Sequence, residues 1–439
     1  MLINFQFSNI LSFNEKNELD LKAEKYTKHE NHVIRSFGGY KLLRMAAIYG
    51  ANAAGKSNII LALEQLRKTV VFGTVDKMET LPIEPFKFSD PKIPTKFDIE
   101  YSINNKVYKY ILEISDSIII NEILYKLDVK RNTFNEVFTR KSNKETTEEL
   151  KLYENIDDKA KDKLRAEIYR EDLRPNQPFL KEGSNKSLQD VSEAHNWFVS
   201  KLIIIGAFAR PKSICSFISK EYESEEFKNF FEILETGISK INILKKPLEE
   251  YMGFLNDDAK NDIIRRINKY GIFTVPNRDR AVEVIVENGK LFGQELQTVH
   301  IGKDEQKANF SLNEESTGVQ RLFEIMPALY GIIEKNETTI IIDELERSIH
   351  PILLINILEY FNKLTIGQLI FTTHESTLLD LDYFRQDEIW FVEKDKYSES
   401  HVYSLAEYKP RFDKKIRKSY FEGRFGAIPI LGNTKFLEE

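Results

Sequence analysis

Cysteine is almost absent from this 439-residue chain: Cys215 stands alone, so neither an internal disulfide nor a cysteine-based metal site can form. A lone thiol after Ala209-Arg-Pro-Lys-Ser213 reads as a buried, unreactive side chain rather than a nucleophile. Long apolar runs are also missing. The longest, LIIIGAFA over 202–209, is far short of the roughly 18–20 residues that a membrane span needs. The opening MLINFQFSNILSF has no basic stretch before an apolar one and no small-residue cleavage site, so no secretion signal is expected and the expected location is the cytoplasm. Excess positive charge is lacking too, since 63 Lys and Arg face 69 Asp and Glu for a net charge of −6. That balance argues against dedicated coating of duplex nucleic acid, although a local basic patch stays open. Internal repeats, low-complexity tracts and sustained heptads are absent, because Gly237, Pro247 and Gly253 interrupt any coiled-coil reading.

What is present is material for a core: 41% hydrophobic, 12% aromatic and 30% charged residues exclude a disordered chain. Residues 2–13 read as an opening strand, and Met45–Tyr49 as a second strand that runs through a glycine turn into a helix over 58–67. From 86 to about 140 the alternation in KFDIEYSI and KVYKYILEI predicts strands. Dense Lys, Glu and Asp over 141–173 read as an exposed helical excursion, followed by helices near Trp197, over 221–235 and over 247–270. Strand patterns return at 282–286 and 299–301, and the last third alternates strands and helices. The expected organisation is an N-terminal lobe over 1–140, a mostly helical interaction region over 141–300 and a C-terminal lobe over 301–439.

The strongest chemical signal is Gly50-Ala-Asn52-Ala53-Ala54-Gly55-Lys56-Ser57-Asn58, a GxxxxGK[ST] pattern with a strand before it and a helix after it. Backbone N–H groups of such a loop surround phosphates and the helix N-terminus adds its dipole. Lys56 would reach the β- and γ-phosphates and Ser57 would ligate Mg²⁺. A phosphate loop needs a carboxylate at a strand end, and Thr338-Thr-Ile-Ile-Ile-Asp343-Glu344 supplies two. Asp343 would support the metal, and Glu344 would orient or deprotonate the attacking water. The separation of 286 residues between Ser57 and Asp343 is too wide for a small GTPase. Before the second half lies Glu315-Ser316-Thr317-Gly318-Val319, opening a helical pattern, with Ser316 as an ordinary cap or a phosphate-facing one.

These blocks resemble ABC-type ATPase heads of the SMC, RecF and OLD-nuclease kind. There a P-loop Asn, a Ser-x-Gly signature, an Asp-Glu pair and a switch His recur in this order, matched here by Asn52, Ser316 with Gly318, Asp343-Glu344 and His374. IYGANAAGKSN, NEESTGVQRLF, IIIDELERSIHP, LIFTTHESTLLD and YFEGRFGAIP also resemble the stand-alone ATPases of bacterial abortive-infection operons of the AbiLi or RloA type and of the PARIS system. The resemblance implies an α/β P-loop NTPase of ABC-head type with a β-rich N-terminal lobe and a helical insertion. It implies ATP and Mg²⁺ sandwiched between two copies, with Ser316, Thr317 and Gly318 acting in trans and His374 touching the γ-phosphate. The loop from Glu346 to Pro351 would line that interface. A homodimer or larger homo-oligomer and a separately encoded toxin or nuclease follow as partners. Glu315 and Val319 replace the Leu and Gln of the transporter signature. Gln177 in RPNQPFL is the Q-loop candidate, with a plain surface turn residue as the equal alternative.

Other chemistries find little support. Only residues 375–439 follow His374, too few for the nuclease domain that OLD proteins carry, and Asp380 and Asp382 lack a second acidic cluster for two-metal work. With 7 histidines and no nucleophile elbow, triad catalysis has no local signature. Basic residues at Lys245-Lys246, Arg265-Arg266 with Lys269, Arg278, Arg280 and Lys414–Lys418 leave a RecF-like DNA-binding ATPase as the alternative function.

Overall fold

The computed structural model describes residues 1–35, 37–153, 159–186, 188–207, 214–270, 273–277, 280–334, 337–364, 367–411 and 415–428. The chain condenses into two compact units that interleave along the sequence: residues 1–206, 332–345 and 362–439 form one, and residues 207–331 and 346–361 the other.

The first unit carries a six-stranded sheet in the order Leu202–Ile205, Thr339–Ile342, Gln368–Thr372, Met45–Gly50, Ile389–Lys394 and Ser400–Ser404. The first five strands run parallel and the last turns back antiparallel. Parallel strands are covered on both faces, and the runs here are apolar accordingly: every residue of Met45–Gly50, Thr339–Ile342 and Gln368–Thr372 is buried. Register brings Ile342 opposite Phe371 and Thr372 opposite Ile48, so the three strands end together beside the phosphate loop. Helix Lys56–Phe72 buries Ile59, Leu63, Leu66 and Val70 in the same core.

A seven-stranded antiparallel sheet completes this unit, in the order Thr147–Leu152, Thr133–Ser142, Ile118–Asp128, Lys106–Ser115, Thr95–Ile103, Leu2–Ser8 and Asn17–Asp20. Its inner face packs Tyr101 flat on Trp197 with ring centroids 4.5 Å apart. The charged stretch after 141 first adds the edge strand Thr147–Leu152 and only then forms helix Lys159–Asp172. At the inner edge Glu122 and Arg140, both with fully buried side chains, pair at 3.0 Å. The Tyr110 hydroxyl and the Phe179 and Leu180 N–H groups also donate to Glu122, so the buried charge is fully bonded.

The second unit is built on an antiparallel sheet in the order Lys240–Pro247, Lys290–Ile301, Arg280–Glu287 and Phe273–Asn277, with Lys307–Ser311 also pairing to Lys290–Ile301. Its small core gathers Leu248, Ile263, Val275, Val282, Val284 and Leu291. Pro247 closes a strand instead of opening a helix, and the helix over 257–270 starts only after Gly253, whose φ of 76° breaks the chain direction. Cys215 is buried here, and desolvation together with the adjacent Glu283 carboxylate pushes its thiol well above the ordinary range, leaving it inert. Among the described residues no helix is long and apolar enough to cross a membrane.

Candidate functional site

The phosphate loop takes its shape from two glycines. Gly50 ends its strand so close to a neighbour that an added Cβ would lie 2.5 Å from the Val392 carbonyl oxygen. Gly55 has φ 115°, and a Cβ there would meet the hydroxyls of Ser400 and Ser12 at 2.5 and 2.9 Å. Ala53 is also left-handed at φ 62°. Helix Lys56–Phe72 then begins with no side-chain cap, leaving its first turn of N–H groups to face an anion. Buried Lys56 folds over the loop, its Nζ donating to the carbonyls of Gly50 and Ala51 at 3.0 and 3.1 Å.

Two hydroxyls support the loop from behind. Ser400 Oγ donates to the Ala54 carbonyl at 2.6 Å and contacts Ser12 Oγ at 2.8 Å, and Asn58 Nδ2 donates to the same Ser12 oxygen at 2.8 Å. Ser12 is brought there because the opening strand stops at Ser8 and the chain turns through left-handed Asn9 and Leu11, with the Asn9 amide donating to the Ile93 carbonyl. Asn58 thus spends its amide on holding the loop.

The carboxylates arrive from the neighbouring strands. Ser57 Oγ donates to Asp343 Oδ1 at 3.1 Å across 286 residues of sequence. Thr372, fully buried at the end of the adjacent strand, donates its hydroxyl to the same Oδ1 at 2.5 Å and accepts the Glu344 N–H at 2.8 Å. Glu344 departs from strand geometry with a left-handed φ of 50°. His374, two residues beyond Thr372, is exposed at the rim. Partial desolvation, followed by the Lys56 cation, holds it below the ordinary histidine range against the opposing pull of Glu344 and Asp343. Lys56, Ser57, Asp343, Glu344 and His374 therefore share one electrostatic neighbourhood.

This donor set fits a hydrated magnesium nucleotide. Ser57 Oγ and Asp343 Oδ1 are hard oxygens 3.1 Å apart, close to the ~3 Å between adjacent corners of an octahedron with ~2.1 Å bonds. The uncapped helix start and Lys56 supply the positive potential that phosphates need.

Ser316, Thr317 and Gly318 belong to the other compact unit. Ser316 caps helix Thr317–Glu334, its Oγ accepting the Val319 N–H at 3.2 Å, while Ser316 and Thr317 stay exposed. Gly318 is needed for close packing, since a Cβ would sit 2.6 Å from the Ser348 carbonyl oxygen. Gln177 is buried; its side-chain amide donates to Glu182, its backbone N–H donates to the Arg174 carbonyl at 3.1 Å and its backbone carbonyl accepts from Arg140 at 2.5 Å. Of the basic patches, Lys245 pairs with Glu287, Lys246 with Glu250 and Arg266 with Asp262, whereas Arg278 and Lys414 lie outside the described residues. Asp382 is tied to Lys28 at 2.8 Å.

Sequence reading did not find Ser12, Ser400 or Thr372. Each is a common hydroxyl residue with no motif around it, and only the strand order brings them to the loop.

A parallel sheet that delivers a phosphate loop, its helix and a carboxylate strand to one edge defines an α/β P-loop nucleoside triphosphatase fold. The chain belongs to the family described as "AAA domain, putative AbiEii toxin, Type IV TA system", whose model matches residues 45–380. No curated protein matches it. Among solved structures it is similar to the SMC head domain from Thermotoga maritima, at 12% identity over 92% of this chain and 98% of that one, with a TM-score of 0.39. An SmcHead bound to the C-terminal winged-helix domain of ScpA matches at 12% identity over 92% and 97%, with a TM-score of 0.37. An Smc head with an extended coiled coil bound to the C-terminal domain of ScpA, derived from Pyrococcus furiosus, matches at 12% identity over 96% and 99%, with a TM-score of 0.36.

Proposed function

We propose that this protein binds and hydrolyses ATP with Mg²⁺ and uses the cycle as a conformational switch. The observation that carries the reading is the meeting of Ser57 and Asp343 at 3.1 Å, with Thr372 holding Asp343 and the Glu344 backbone in one bracket. ATP would supply the phosphoanhydride that is cleaved, and Mg²⁺ the positive charge that offsets its phosphates. Lys56 and the first N–H groups of its helix bind the phosphates. Ser57 and Asp343 would hold the metal. Glu344 would receive the proton of the attacking water, and His374, held below the ordinary histidine range by partial desolvation and then Lys56, shares its electrostatic neighbourhood.

The exposed Ser316 at a helix start is suited to a phosphate presented by a second copy, which makes each site a composite of two chains. The family description names a toxin–antitoxin system, which supports a regulatory role: an ATPase that senses phage infection and restrains or releases a separately encoded toxin or nuclease. A DNA-binding role has less support, because several of the basic side chains are already paired with carboxylates.

Glu344→Gln tests the reading. The variant should keep ATP affinity, lose phosphate release and accumulate the associated state in Mg-ATP by light scattering; hydrolysis at the wild-type rate would contradict it. Purified from its native host in Mg-ATP, it should carry a stoichiometric second protein. Its absence would remove the regulatory role and leave the ATPase.

A further inference from the structure

Beside the phosphate loop lies a cavity that the phosphate and metal chemistry leaves unused. Ser57 turns its hydroxyl to Asp343, but Asn58, the next residue on the helix, turns its amide to Ser12. Successive helix residues point about 100° apart, so Asn58 and Ser12 mark a flank of the helix start away from the carboxylates. A cavity of about 250 Å³ opens on that flank, lined among others by Leu11, Ser12, Asn58, Pro85, Phe88 and Ser398, all of one compact unit. Its outer wall, the segment over 83–93, is fastened at several points. Leu11 N–H donates to the Glu84 carbonyl at 2.8 Å, and Glu84 N–H donates to the Gln65 side-chain carbonyl at 3.0 Å. Asn9 clips the segment twice, its Oδ1 accepting the Phe86 N–H at 3.2 Å and its amide donating to the Ile93 carbonyl at 2.6 Å. Phe86 is the buried anchor, and Phe88 meets it edge to face with ring centroids 5.6 Å apart. Phe88 itself is 76% exposed. A fixed wall thus holds an aromatic ring next to the phosphate loop with most of its surface in water.

We propose that this cavity receives the nucleobase of the bound nucleotide, which stacks on the Phe88 ring while Lys56 and the helix start hold the phosphates. The occupant follows from continuity with the phosphate site. A nucleotide laid on the loop with its γ-phosphate towards Glu344 has its nucleoside at the other end, and a single ribose carries the base onto the flank that Asn58 and Ser12 mark. Stacking takes two flat apolar faces out of water and needs no directed bond, since every base has a π-face. The wall is already ordered by Asn9 and Gln65, so little ordering is needed when the base arrives. Phe88 is therefore a binding residue for the nucleoside and takes no part in proton transfer. The inference rests on the ATPase reading above and adds to it the residue that grips the base.

The test uses the full chain and equilibrium titrations with Mg-ATP, Mg-ADP and inorganic tripolyphosphate, which carries the phosphates without a base, and thermal melting confirms that each variant is folded. Phe88→Ala should raise Kd for ATP and ADP about tenfold and leave that for tripolyphosphate within about twofold of wild type. Phe88→Trp keeps a stacking face, so it should bind ATP within about twofold of wild type, and its added fluorescence should be quenched by ATP and not by tripolyphosphate. Unchanged ATP affinity in Phe88→Ala would overturn the proposal. So would an equal loss of ATP and tripolyphosphate affinity, because the ring would then be supporting the phosphate loop and not the base. If the wild-type chain binds neither ATP nor tripolyphosphate, the ATPase reading falls and this inference with it; wild-type ATP binding matched by Phe88→Ala removes the inference alone.

Discussion

Thr372→Val deletes one hydroxyl and leaves the outline of the side chain. In the native site that hydroxyl donates to Asp343 Oδ1 at 2.5 Å and accepts from Glu344 N–H at 2.8 Å, at a position with no solvent exposure. Valine leaves the N–H without this acceptor and removes the Thr372 donor to Asp343 Oδ1, an oxygen that also accepts from Ser57. An unsatisfied buried group costs about 1–3 kcal/mol, and Asp343 keeps part of its bonding, so the stability loss should be about 2 kcal/mol. The consequence for turnover is larger than for binding. The phosphate loop is untouched, whereas Glu344 loses the contact that fixes its turn, and a placement error worth about 1.4 kcal/mol in the transition state is a tenfold loss of kcat. Phosphate release at saturating Mg-ATP and thermal melting read the two effects separately. Thr372→Ser keeps the hydroxyl and should restore both. A valine variant with kcat within twofold of wild type and an unchanged melting temperature would refute the bracket as an element of the site.

Three further outcomes follow from the structure. Ser400→Ala removes the hydroxyl beneath the Ala54 carbonyl and should weaken nucleotide binding about fivefold, roughly 1 kcal/mol, with kcat at saturation preserved; an equilibrium titration checks it. Glu122→Gln strands the buried Arg140 cation and should cost about 3–5 kcal/mol in denaturant unfolding, while exchanging both residues for well-packed apolar ones should cost less than the single change. His195, buried and bonded to the Val70 carbonyl, has its pKa lowered to about 4 by desolvation and then Lys181. The unfolded chain, with an ordinary value near 6.5, takes up a proton on acidification before the folded one does, so this contribution is complete above about pH 6.5 and is lost towards pH 4. By pH 5 the loss is about 2 kcal/mol, and melting of His195→Gln between pH 7 and pH 5 should be correspondingly less acid-sensitive.

His374 was singled out only through the resemblance to ABC-type heads, whereas the meeting of the phosphate loop with Asp343 and Glu344 was legible because the pattern is local, a glycine turn between strand and helix and an apolar run ending in two carboxylates. The same is true of the strands over 95–142, where alternation is regular. Lys240–Pro247 escaped because KINILKKP ends in two lysines and a proline, and its pairing with Lys290–Ile301 comes from a segment more than 40 residues away. Thr147–Leu152 escaped because it is an edge strand whose glutamates and lysine read as a solvated helix. Ser12, Thr372 and Ser400 could not be read at all. A hydroxyl becomes part of a site only by where the sheet puts it, and strand order is a property of the whole chain.

The central claim is ATP turnover at sites shared between two copies, and mixing two dead variants tests it most directly. Lys56→Ala should lose nucleotide affinity, and Ser316→Arg should bind ATP without hydrolysing it. Combined under exchanging conditions they should recover part of the wild-type phosphate release, because one of the two sites in a mixed dimer pairs an intact Lys56 with an intact Ser316. Mixed dimers that form and stay inactive would contradict the account.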